Sequence, residues 1–106
     1  NVGLCLDTCH TWAGGIPTID AVKGFKKLVK KIDLIHFNDS KDGFESSRDR
    51  HENLGKGKIP KEELEYVIKN AKTDIIVETP NGPDAQKKDI AWIRRRLKKW
   101  TIYQKT

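Results

Sequence analysis

The stretch Leu34-Ile35-His36-Phe37-Asn38 is a short apolar run with one histidine inside it, and it decides the predicted fold. Two comparable runs occupy residues 2–8 and 75–79. None of the three alternates cleanly between apolar and polar residues, which is typical of parallel strands buried on both faces. Each run is followed by a loop and a helical pattern, and right-handed crossovers set such strands side by side. The sequence therefore predicts an α/β fold with three parallel strand and helix units.

Three amphipathic segments follow the predicted strands. The first spans residues 18–31 and starts at Thr18 or Pro17, the second begins near Pro60 and the third near Pro83. Apolar residues recur in each at i, i+3, i+4 and i+7, as in a helix that packs one stripe against a core. The predicted core positions are Val22, Phe25, Leu28, Val29 and Ile32, then Leu64, Val67, Ile68 and Ala71, and finally Ile90, Ile93, Leu97 and Trp100.

The composition is that of a globular chain, with 36% hydrophobic and 34% charged residues among 106. No apolar run approaches the roughly 20 residues that a membrane span needs. We therefore expect an intracellular protein, in the cytoplasm of a prokaryote or the nucleus of a eukaryote, with no membrane partner. The formal charge of +6 suits a polyanionic partner, although the lysines between residues 23 and 31 are interpreted more simply as a solvated helix face.

The start of the chain bears on its domain organisation. It opens at Asn1 inside an apolar run, and the sequence contains no methionine. We expect residues 1–106 to be a single partial domain from a longer protein. A complete small domain and a processed chain stay open as alternatives.

The two cysteines are four residues apart in a segment predicted to be extended, at about 3.3 Å per residue. Cys5 and Cys9 are then too far apart to form a disulfide with each other. Buried small hydrophobes are the favoured interpretation of both. A thiolate metal ligand at Cys9, beside His10, is the alternative.

Three potential metal ligands, Asp7, His36 and Glu78, end the three predicted strands. Asp7 by itself suits a cap for the next loop, and His36 by itself suits a hydrogen-bonded core histidine. Glu78 is harder to explain, because a carboxylate on a buried strand needs a cationic partner or a large upward pKa shift. Since the C-terminal ends of parallel strands meet at one edge, we expect the three side chains to converge on a metal.

The second unit is longer than the first because of residues 40–59, which contain Asp49-Arg50-His51. Side chains two residues apart in extended backbone point the same way, as ligands of a shared metal must. The chain thus holds six potential ligands of mixed carboxylate and imidazole character, a mixture that favours zinc or manganese. They are Asp7, His10, His36, Asp49, His51 and Glu78.

Four short motifs carry a resemblance to a known family. They are Asp7-Thr8-Cys9-His10, His36-Phe37-Asn38-Asp39, Asp49-Arg50-His51 followed by Asn53-Leu54-Gly55, and Glu78-Thr79. In order and spacing they resemble the C-terminal part of endonuclease IV, the zinc-dependent apurinic/apyrimidinic endonuclease. The resemblance implies a (β/α)₈ TIM barrel, of which this chain holds the last three units. Three units leave two open sheet edges, so residues 1–106 alone are expected to fold poorly and to be inactive.

The resemblance also implies a set of metal ligands. One zinc ion of a trinuclear cluster would be held by Asp7, His36 and Glu78. A second would be held by His10, Asp49 and His51. The ligands of the third ion come from earlier strands that this chain does not contain, and Mn²⁺ is an alternative to Zn²⁺ throughout.

The implied activity is hydrolysis of the phosphodiester 5′ to an abasic site in double-stranded DNA, a step of base excision repair. Glu78 and Asp7 would be the catalytic residues. Arg50 would contact the DNA backbone, with a surface salt bridge as the alternative. The full-length protein is expected to be a monomer.

Two other functions stay open at this point. A sugar isomerase or epimerase on a related TIM barrel also gathers Asp, His and Glu at strand ends around metal ions. A non-catalytic DNA-binding remnant would use only the basic surface, and its DNA affinity would depend on salt but not on a chelator.

Overall fold

The structure, a computed structural model, describes residues 5–29, 32–70 and 72–105. None of the helices in these ranges has the length and apolar character of a membrane span. In chain order the elements are β1 (Cys5–Asp7), α1 (Thr8–Ala13), α2 (Thr18–Val29), β2 (Leu34–Phe37), β3 (Asp39–Ser40), β4 (His51–Glu52), α3 (Lys61–Asn70), β5 (Asp74–Val77) and α4 (Gly82–Lys105).

Strand β2 lies at the centre of a three-stranded parallel sheet, between β1 and β5. The register pairs Asp7 with His36 and Phe37 with Val77, so the three strands end at nearly the same level. The predicted α/β arrangement of parallel strands is confirmed. The strands are shorter than predicted, since the third ends at Val77, and residues 2–4 of the first lie outside the described residues.

A helix follows β1 directly, where the sequence predicted a loop between the first strand and its helix. This helix, α1, starts at Thr8 with no intervening loop. Asp7 makes this possible, because its Oδ1 accepts a hydrogen bond from the His10 N–H at 2.9 Å and so caps the helix. The loop prediction was wrong because one residue both ends the strand and caps the helix. Gly15, with φ of +88°, then turns the chain toward α2.

The core lies between the sheet and the helices. Leu6, Ile35 and Phe37 of the strands are completely buried. The predicted core positions are confirmed at Val22, Ile32, Leu64, Val67 and Ile68, and Phe25 packs against the same cluster. Some positions of the predicted helices lie outside the described residues: Lys31, Ala71 and the side chains of Leu28, Val29 and Trp100.

Helix α4 is rotated relative to its predicted orientation. Ile93 is buried as predicted, but Ile90 and Leu97 are 39% and 37% exposed, so these two core predictions were wrong. Trp92 is buried instead, and its ring lies 6.4 Å from the ring of Phe37. A buried indole removes more apolar surface from water than an isoleucine does, so Trp92 determines which face of α4 packs inward.

The long segment after β2 is ordered by a small second sheet and by one carboxylate. Strands β3 and β4 pair in antiparallel fashion, with Ser40 opposite His51. Asp39 is completely buried and organises the following loop. Its carboxylate accepts four backbone N–H groups, those of Ser40, Gly55, Gly57 and Ile59.

Candidate metal centre

The C-terminal ends of the parallel strands bring Asp7, His36 and Glu78 together, and these three residues are termed the strand-end group. One ligand atom from each lies within 4.8 Å of the other two. The closest pair is His36 Nδ1 and Glu78 Oε1, at 3.0 Å. The three side chains lie together because of the register of the sheet: Asp7 pairs with His36, and Glu78 directly follows β5.

A second set, termed the loop group, consists of His10, Asp49 and His51. Asp49 lies between the two histidines, with Oδ2 at 3.1 Å from His10 Nδ1 and Oδ1 at 3.5 Å from His51 Nε2. Helix α1 supplies His10, the segment before β4 supplies Asp49, and β4 begins at His51. Asp49 and His51 therefore do point to the same side of the chain.

One contact joins the two groups. His51 Nε2 lies 3.7 Å from Asp7 Oδ2, so the six side chains form one continuous cluster at the end of the sheet. Their side chains range from 23% exposed at Asp7 to 74% exposed at His10. The cluster is therefore open to solvent and to a ligand.

The charge state of the cluster favours cations. Burial raises the pKa of Asp49, but the neighbouring side chains of His10, Cys9 and His51 lower it by more, and the pKa lies below the ordinary value. Asp49 is therefore ionised at neutral pH. An ionised carboxylate flanked by two imidazole rings offers oxygen and nitrogen donors of the kind that divalent metals bind.

Cys9 lies beside the loop group, and its Sγ is within 4.8 Å of ligand atoms of Asp49 and His51. Burial raises the pKa of this thiol to about 12, so it is a neutral thiol at pH 7. It donates a hydrogen bond to the carbonyl oxygen of Arg50 at 3.4 Å. The prediction of a buried residue is confirmed for Cys9 and wrong for Cys5, which is exposed on the edge strand β1. Both thiols are free, as predicted.

Arg50 stands between two members of the loop group, and its side chain is 56% exposed. It pairs with Asp42 through two hydrogen bonds, Nε to Oδ2 at 2.9 Å and Nη2 to Oδ1 at 2.7 Å. This ion pair lowers the pKa of Asp42. The structure thus contains the salt bridge that the sequence analysis gave as the alternative, while more than half of the Arg50 side chain stays exposed.

A cavity of about 520 Å³ adjoins the cluster, and both ligand groups contribute to its wall. Its lining residues are His51, Val77, Glu78, Thr79, Pro80 and Gln86. Trp12 takes no part in it: the ring is buried, its Nε1 donates to the carbonyl oxygen of Asp42 at 3.0 Å, and it serves as cover.

Both groups fit divalent metals by the chemistry of their donors. Zinc binds imidazole nitrogen and carboxylate oxygen at about 2.0–2.2 Å, so donors to one ion lie within roughly 4 Å of each other. His36 and Glu78 lie 3.0 Å apart in the strand-end group, and Asp49 lies 3.1 Å from His10 and 3.5 Å from His51 in the loop group, so each of these pairs meets that requirement. The strand-end group would hold one ion, and the loop group would hold another.

Residues 1–96 match a protein family whose model is described as xylose isomerase-like TIM barrel. Among curated relatives, the chain is 47% identical over 95 residues to the protein named "Probable endonuclease 4" of Mycobacterium bovis. It is 46% identical over 95 residues to the protein of the same name from Mycobacterium leprae. Each alignment covers 90% of this chain and 37% of the relative, so the chain spans little more than a third of these relatives.

A solved structure is also similar to this chain. The crystal structure of endonuclease IV from Thermus thermophilus superposes with a TM-score of 0.75 at 30% sequence identity. The match covers 92% of this chain and 39% of that chain. The strand and helix order described above therefore matches about two fifths of that solved chain.

Proposed function

Since the chain belongs to the xylose isomerase-like TIM barrel family, and within it to the endonuclease IV proteins, we propose that it carries part of an abasic-site endonuclease. The complete protein hydrolyses the phosphodiester 5′ to an apurinic or apyrimidinic site in double-stranded DNA. The products are a 3′-hydroxyl and a 5′ deoxyribose phosphate. This activity places the protein in DNA repair inside the cell, acting as a monomer with zinc as its cofactor.

One observation carries this proposal: the strand-end and loop groups form a single cluster beside a cavity, joined by the 3.7 Å contact between Asp7 and His51. Phosphodiester hydrolysis needs positive charge near both the attacking and the leaving oxygen. The two adjacent ligand groups could hold closely spaced cations, which would stabilise both oxygens of an in-line displacement.

The chain's own residues would act as follows. Zinc, when bound, lowers the pKa of water to near neutral and offsets negative charge that develops on the phosphate. Asp7 and Glu78 are the proposed catalytic residues, whose carboxylates orient the attacking water. His36 Nδ1, at 3.0 Å from Glu78 Oε1, fixes the orientation of that carboxylate. His10, Asp49 and His51 would hold a second cation next to this site, where it could attract the phosphate.

The first prediction tests the function directly. The complete protein is expected to cut a duplex oligonucleotide that contains one abasic site and to leave the unmodified duplex intact. A chelator is expected to abolish cleavage, and zinc, or less effectively manganese, to restore it. Cleavage is followed by gel electrophoresis of end-labelled DNA. Cutting that survives metal removal would contradict the proposal.

The second prediction concerns Arg50. We expect Arg50→Ala to weaken binding of abasic DNA and to reduce the slope of log K against log salt by about 1, because one phosphate contact is lost. The binding is measured by fluorescence anisotropy at several salt concentrations. Arg94→Ala, on the exposed surface of α4, is the control and is expected to leave the slope unchanged. An unchanged slope in Arg50→Ala would show that Arg50 makes no phosphate contact and forms only its salt bridge with Asp42.

The sugar isomerase or epimerase alternative shares the strand-end group but gives no role to the loop group. A metal count by elemental analysis separates the two, since the proposed endonuclease binds about three zinc ions and an isomerase site needs one or two. Salt-dependent DNA binding without cleavage, unchanged by a chelator, would instead favour a non-catalytic remnant.

A further inference from the structure

A reciprocal contact between Thr8 and Asn38 joins two chain segments that carry three of the six proposed ligands, Asp7, His10 and His36. Both residues are completely buried. The Asn38 N–H donates to Thr8 Oγ1 at 3.0 Å, and Thr8 Oγ1 donates to the Asn38 carbonyl oxygen at 2.6 Å. The hydroxyl thus continues the pairing of β1 and β2 by one step beyond the last residues of these strands. This pair is termed the Thr8–Asn38 clamp.

The side chain of Asn38 also caps helix α1. Its Oδ1 accepts the Cys9 N–H at 2.7 Å, a donor in the first turn that has no acceptor within the helix. Asp7 Oδ1 accepts the next one, the His10 N–H, at 2.9 Å. Asn38 already accepts the hydrogen bond from the Cys9 N–H. The second carboxylate oxygen of Asp7, Oδ2, therefore does not have to accept a hydrogen bond from the helix, and it faces His51 Nε2 at 3.7 Å.

The amide orientation of Asn38 follows from these contacts. Since Oδ1 accepts from the Cys9 N–H, the amide nitrogen must lie on the other side, where it is 3.5 Å from His51 Nε2. Asn38 also follows His36 by two residues on the same strand end. It therefore contacts the start of α1 and the ring of His51, while its own segment carries His36.

We propose that the Thr8–Asn38 clamp is a positioning device that sets the separation between the strand-end group and the loop group. Neither residue touches the reacting atoms, so both act through the ligands. Residues that orient metal ligands typically contribute 10- to 100-fold to metal affinity. This inference rests on the proposed function only in taking the six side chains as zinc ligands.

The experiment uses the complete protein with Thr8→Val, Thr8→Ser and Asn38→Ala. Valine keeps the shape of threonine without the hydroxyl, and serine keeps the hydroxyl. We expect Thr8→Val and Asn38→Ala to bind zinc about 10- to 100-fold more weakly, as measured by competition with a chromogenic chelator. Thr8→Ser is expected to bind zinc like the parent. The double variant is expected to lose little more than either single variant, because both changes break one clamp.

Activity and stability provide independent readouts. At limiting zinc, kcat is expected to fall in Thr8→Val while KM for abasic DNA stays constant, and added zinc is expected to restore kcat. Val67→Ala is the control. It opens a cavity at a buried position of α3, a helix that carries none of the six ligands, and it is expected to lower the midpoint of urea unfolding without weakening zinc binding.

Two outcomes would overturn the clamp proposal. One is wild-type zinc affinity in Thr8→Val and Asn38→Ala; the other is equal weakening in Val67→Ala, which would indicate general loss of stability. If the parent protein binds zinc but cuts no abasic DNA, the proposed function fails while the zinc affinities still test the clamp.

Discussion

Replacing His51 by alanine is expected to lower turnover of abasic DNA by about 1000-fold or more while the fold stays intact. Metal ions contribute several kcal/mol of charge stabilisation in the transition state, and a loss of about 4 kcal/mol corresponds to about 1000-fold. His51 stands where the two ligand groups meet, 3.5 Å from Asp49 and 3.7 Å from Asp7. Its loss therefore weakens the loop group and removes the contact that joins it to the strand-end group.

The fold is expected to survive this change because the side chain of His51 is 30% exposed and fills no part of the core. Glu52→Ala is the matched control, since Glu52 is the neighbour of His51 on β4 and accepts a hydrogen bond from the backbone N–H of Asn53. Zinc content, kcat and circular dichroism are measured on both variants. Near-normal turnover in His51→Ala would remove this residue from the metal cluster.

The sequence predicted the sheet and the strand-end group for one geometric reason. Short apolar runs separated by helices have few arrangements other than a parallel sheet, and parallel strands end at a common edge. The register that pairs Asp7 with His36 then brings these side chains together. The metal role of the six residues remains a prediction, since only their proximity is observed.

Contacts between distant segments could not be predicted from the sequence. The Thr8–Asn38 clamp joins residues 30 apart, and no local pattern indicates which buried hydroxyl meets which amide. A signal was present in the adjacent polar residues Asn38 and Asp39, which follow an apolar strand at a point where burial requires hydrogen-bond partners. The rotation of α4 was missed for a related reason: Ile90 and Trp92 both suit a core, and only packing against Phe37 decides between them.

Asp39→Ala is expected to lower the free energy of unfolding by about 4 kcal/mol or more. Four backbone N–H groups lose their acceptor, and each buried unsatisfied donor costs about 1–3 kcal/mol. Asp39→Asn is expected to cost about half as much, because the amide oxygen can replace only one carboxylate oxygen. Oδ1 accepts from Ser40 and Ile59, and Oδ2 accepts from Gly55 and Gly57.

The measurement is urea unfolding of the complete protein. Asp74→Ala is the control, because that carboxylate is exposed and its removal is expected to change the free energy of unfolding by less than about 0.5 kcal/mol. Gly57→Ala tests the same loop from its other side, since a β-carbon there would overlap the Ser40 carbonyl oxygen and the Asp39 carboxylate. Zinc affinity is expected to fall with stability in Asp39→Ala, because β3 begins at Asp39 and pairs with the strand that carries His51. An unfolding midpoint equal to that of the parent would show that water replaces the carboxylate at little cost and that the loop holds its shape without it.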